Sequence, residues 1–112
     1  MASKVLLVED SLEICEAITD FFADRCGDEF VFEVVNDGLE AIEVVSNGAL
    51  YDMVLLDIML PGASGFDICV ALRRRSDCPV IFLTALGTED NILRGYNLGA
   101  DDYMVKPFSL EQ

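Results

Sequence analysis

Five residues spread along the 112-residue chain carry side chains suited to moving a phosphoryl group: Glu9, Asp10, Asp57, Thr84 and Lys106. Three carboxylates held together repel, and protons or a cation must relieve the repulsion. The chain has no histidine and its cysteines show no CxxC pairing, so the available ligands are oxygens. An all-oxygen set suits a hard ion such as Mg²⁺. Lys106 offers a mobile point charge for a phosphoryl oxygen, and Thr84 a hydroxyl donor. A carboxylate can act as the in-line nucleophile and form an acyl phosphate. Asp57 is the expected nucleophile, with Glu9 and Asp10 holding and orienting the ion. Taken singly, each position is commonplace: an acid after a strand is usually a turn residue or a helix cap. The weight rests on all five meeting at one place.

The hydrophobic pattern supplies that place. Strands are expected over 4–8, 30–35, 52–57, 80–83 and 102–106, with helices from Ser11 onward, over 39–47, 66–75 and 89–98. Residues 24–29 break the first helical pattern around Gly27, and Asn36-Asp37-Gly38 reads as a turn. Ile14, Ile18, Phe21 and Phe22 form the inner face of the first helix, Ala41, Ile42 and Val45 that of the second. Phe66, Cys69, Val70 and Leu72 are expected inward on the third. Met53-Val54-Leu55-Leu56 is apolar throughout, as a strand buried on both faces requires. Strand–helix alternation implies right-handed crossovers and a doubly wound α/β parallel sheet of five strands, order 2-1-3-4-5. In such a sheet functional residues gather beyond the carboxyl ends of the strands. Glu9, Asp10, Asp57, Thr84 and Lys106 all fall there. Ser109 to Gln112 fits a capping box opening a fifth helix, so the chain is expected to be one domain, 1–112, cut at the start of that helix.

Composition excludes several classes. Hydrophobic residues make up 53%, which argues against disorder. No apolar run approaches the roughly 20 residues of a membrane span, and no signal-peptide core is present, so the cytoplasm is expected. The net charge of −14 repels nucleic-acid phosphates, and this domain is not expected to touch nucleic acid directly. Arg73-Arg74-Arg75 is explained by placement at a helix C-terminus. Cys15, Cys26, Cys69 and Cys78 are read as free thiols.

Four segments together resemble the receiver domain of two-component response regulators: residues 5–10 (VLLVED), 54–62 (VLLDIMLPG), 82–85 (FLTA) and 99–108 (GADDYMVKPF). The last is most similar to the OmpR/PhoB transcriptional subfamily. The resemblance implies a flavodoxin-like receiver fold. It implies that Asp57 accepts a phosphoryl group from a phosphohistidine on a sensor histidine kinase. It implies Mg²⁺ bound by Asp10, Asp57 and the backbone carbonyl of Met59, with Glu9 acting through a metal-bound water. Thr84 and Lys106 would contact the phosphoryl oxygens, and Tyr103 would be the switch aromatic. Such a domain catalyses its own phosphorylation and dephosphorylation. The face of helix four, strand five and helix five would carry the signal and a possible homodimer, governing a DNA-binding output domain. The chain departs from the subfamily at Ala63-Ser64-Gly65, where Met-Asp-Gly is common, and at Ile92 and Asn97, where dimer charges are frequent. Those last two leave open a receiver that works alone or docks on another protein. A hydrolase or flavin-binding domain is disfavoured: the first acidic motif lacks D-x-D, and no Gly-rich or Ser/Thr-rich phosphate loop follows the first strand.

Overall fold

The computed structural model describes residues 3–48, 50–58, 60–84 and 102–105, with backbone alone for 28, 84 and 102–105. In chain order these form β1 (Ser3–Val8), α1 (Leu12–Cys26), a 3-10 turn (Gly27–Glu29), β2 (Phe30–Val35), α2 (Gly38–Ser46), β3 (Met53–Asp57), α3 (Gly65–Arg73), β4 (Val80–Thr84) and β5 (Asp102–Val105). The strands pair in parallel in the expected order, β2-β1-β3-β4-β5.

Alternation along the strands divides the core in two. Leu6, Val8, Val54, Leu56, Val80 and Phe82 meet α2 and α3 through Ala41, Val45, Phe66, Ile68, Cys69 and Leu72. Val5, Leu7, Leu55 and Leu83 meet α1 through Cys15 and Ile18. β3 is therefore covered on both sides, which explains its unbroken apolar sequence.

Three expectations need correction. In α3 Val70 faces solvent at 38% exposure, and Ile68, fully buried, takes the inward place. Starting at Gly65, α3 turns the stripe of Gly65, Ile68, Cys69 and Leu72 toward the sheet, and Val70 falls off that stripe. In α1 Cys15, not expected inward, is buried with Ile18, while Ile14 and Phe22 pack partly buried against the same cluster. The helix also continues to Cys26, because Asp24 and Arg25 point outward and the backbone is stopped only by Gly27, whose φ of 59° suits glycine. Helix four (89–98), Lys106 and the 109–112 capping box lie outside the described residues.

The helices begin and end as their caps dictate. Ser64 and Asp67 form a reciprocal capping box on α3, so the Ala63-Ser64-Gly65 departure preserves the helix start. At its other end Arg73 Nη1 donates to the carbonyls of Ser76 (3.2 Å) and Cys78 (2.8 Å), and Arg75 Nη1 to that of Ser46 (2.8 Å). Arg73 thus serves carbonyls just beyond the end of α3, and Arg75 the last carbonyl of α2. At the amino-terminal ends of the strands, the buried Tyr51 hydroxyl donates to the Glu33 carboxylate. Burial and that carboxylate push the phenol above its usual range.

Candidate metal and phosphoryl site

The parallel register sets Val8 of β1 opposite Leu56 of β3. One step further along both strands, Glu9 comes level with Asp57, the last residue of β3. Asp10 follows at the corner before α1. Candidate ligand oxygens of Glu9, Asp10 and Asp57 all lie within 4.8 Å of one another. Glu9 is fully buried, Asp57 is 5% exposed, and Asp10 opens to solvent. Residues 48 positions apart in sequence are thus gathered at one strand edge, as their spacing predicted.

The backbone around the acids is pinned. Glu9 N–H donates to the Val35 carbonyl at 3.0 Å. The Glu9 carbonyl accepts from Asn36 Nδ2 at 2.8 Å and, more weakly, from the Cys15 thiol at 3.6 Å. Asp10 N–H donates to Glu9 Oε2 at 3.0 Å. Ser11 then caps α1 by accepting from Ile14 N–H, so the helix starts immediately beyond the acids. Behind Asp57, Gly65 N–H donates to the Ile58 carbonyl at 2.9 Å. A Cβ at Gly65 would collide with the Asp57 carbonyl, so only glycine lets α3 start this close to β3.

On the other flank, Leu83 of β4 is opposite Asp57, and its carbonyl accepts from Ile58 N–H at 3.1 Å. Thr84 is the next residue and ends β4, so its backbone stands beside the end of β3. Its side chain, that of Tyr103 in β5, and all of Met59 and Lys106 lie outside the described residues.

The donor set fits Mg²⁺. Two oxygens bonded directly to Mg²⁺ at about 2.1 Å are at most about 4.2 Å apart, and the ion usually keeps several waters. Oxygens within 4.8 Å of one another, with Asp10 open to solvent, leave room for an ion that retains part of its water shell. Residues that spacing alone did not single out are Asn36, Cys15 and Gly65. Asn36 had a usable signal, since it directly follows the strand that pairs with β1.

Comparison with known proteins agrees with this geometry. Residues 5–112 match the family model described as response regulator receiver domain. The chain is 42% identical over 106 residues to the uncharacterized transcriptional regulatory protein YclJ of Bacillus subtilis, covering 95% of this chain and 45% of that one. It is 39% identical over 110 residues to the transcriptional regulatory protein CusR of Escherichia coli, covering 97% and 47%. A two-component response regulator from Clostridium difficile superposes with a TM-score of 0.86 at 27% identity, over 97% of this chain and 87% of that one. The Vibrio cholerae chemotaxis protein CheY4 does so with 0.85 at 29% identity, over 99% and 92%. The chain belongs to the response regulator receiver domain family. It spans a little under half the length of the two transcriptional relatives.

Proposed function

We propose that Asp57 is the phosphoryl acceptor of a two-component response regulator and that Mg²⁺ assists the transfer. The observation that carries this reading is the convergence of Glu9, Asp10 and Asp57 within 4.8 Å at the carboxyl edge of a parallel sheet. Mg²⁺ bound there would neutralise the carboxylates and the incoming phosphoryl oxygens. Asp10, Asp57 and the Met59 carbonyl would hold it, with Glu9 acting through a water. An Asp57 carboxylate oxygen attacks phosphorus. The P–N bond to a kinase histidine breaks, and its electron pair stays on the imidazole nitrogen. Thr84 and Lys106 receive the phosphoryl oxygens.

The new charge favours the arrangement in which Thr84 and Lys106 reach it and Tyr103 turns inward. The surface of helix four, strand five and helix five then changes, and is the proposed homodimer face. The transcriptional relatives, about twice as long, support residues 1–112 being the receiver part of a longer protein with a DNA-binding output. A sensor histidine kinase as donor and a cytoplasmic location belong to the same reading. Among the described residues, no helix is long and apolar enough to cross a membrane. Ile92 and Asn97 favour a second reading, a receiver that signals by docking on another protein.

Incubation with a small phosphodonor and Mg²⁺, followed by intact-mass measurement, tests the assignment. The wild-type chain should gain one phosphoryl group and Asp57→Asn none. Equal labelling of the two would refute the nucleophile.

A further inference from the structure

We propose that Asn36 is a positioning residue for the metal site, acting through the peptide bond that joins Glu9 to Asp10. The inference rests on the Mg²⁺ reading above. The Glu9 carbonyl that Asn36 Nδ2 grips at 2.8 Å belongs to the same rigid plane as the Asp10 N–H. That N–H in turn donates to Glu9 Oε2 at 3.0 Å. An uncompensated torsion change on either side of this plane would turn the Asp10 side chain relative to that of Glu9, and both are metal-site carboxylates; holding both ends of the plane blocks it. The neighbouring Val35 carbonyl fixes the other side of Glu9 at 3.0 Å, so β2 and its last turn hold the corner from 27 residues away. The Cys15 thiol reaches the same carbonyl at 3.6 Å, a longer and weaker bond from a weaker donor.

The corner needs holding because the carboxylates repel. In the absence of a cation, an uncompensated torsion change at this corner would let Asp10 move away from Glu9 and Asp57. Asn36 resists this without adding charge. Aspartate at the same position has no donor for the carbonyl and would face it with a second acceptor. Asn36 itself is exposed as a residue, so its removal leaves the hydrophobic core intact.

Calorimetric Mg²⁺ titration of wild type, Asn36→Ala and Asn36→Asp, with a thermal melt of each in the absence of metal, tests this. Asn36→Ala should weaken Mg²⁺ binding about tenfold, the lower end for residues that orient ligands, while its melting temperature falls only slightly. Asn36→Asp should also weaken binding. An effect of charge alone would do the opposite, because an added carboxylate nearby attracts the cation. Unchanged affinity in Asn36→Ala, or tighter binding in Asn36→Asp, overturns the positioning role while leaving the metal site standing. A wild-type chain that takes no Mg²⁺ overturns both.

Discussion

Burying Glu9 and Asp57 beside Asp10 concentrates negative charge where little water can screen it. Such a cluster binds a cation well and destabilises the empty domain. Asp10→Asn should show both effects. Mg²⁺ affinity should fall about tenfold or more, as expected for loss of a ligand group or its support. The metal-free melting temperature should rise, since one repelling charge is gone. Titration monitored by backbone amide shifts, paired with a melt, reads both; unchanged affinity would count against the metal site. The three acids were legible in the sequence because each ends or follows an apolar strand. Asn36 was legible only as a residue directly after the strand beside β1; its side-chain bond to the distant Glu9 carbonyl is not something hydrophobic periodicity encodes.

The secondary elements were legible where one physical signal dominated. Short apolar runs alternating with amphipathic stretches marked the five strands and the doubly wound class; the order 2-1-3-4-5 is one of two that such alternation allows. Helix phase was harder. In the nine-residue α3, the apolar residues Phe66, Ile68, Cys69, Val70 and Leu72 nearly encircle the axis, so sequence alone allows more than one inward stripe. The close approach of Gly65 to the Asp57 backbone selects between them. Two truncations separate these roles. Ile68→Ala should cost about 2–5 kcal/mol, the usual range for emptying a filled core position. Val70→Ala, at an exposed site, should stay within about 0.5 kcal/mol. Urea unfolding of the two variants compares them directly, and equal losses would mean that α3 is rotated from the orientation described.

Over the whole chain, 21 acidic residues face only 7 basic ones. Self-repulsion on this scale weakens the compact state, and salt should relieve it, because the screening length falls to about 10 Å at 0.1 M. Mg²⁺ should do more than NaCl of equal ionic strength. A ligand present at a hundred times its Kd adds about 2.7 kcal/mol to the folded state. Melting curves in matched NaCl and MgCl₂ should therefore separate, with the Mg²⁺ curve higher in wild type and the gap narrowed in Asp10→Asn. Coincident wild-type curves would reduce the ion to a bulk screen.

The contact of Gly65 with the carbonyl of Asp57 also limits how this site can diversify. The wall behind Asp57 is main chain, and main chain has no alphabet of alternatives. On the phosphoryl-acceptor reading proposed above, substitutions that tune how fast the site is loaded or cleared have room on the rim where Asp10 opens to solvent. A library built to change the lifetime of the signal would sample that rim and leave position 65 alone.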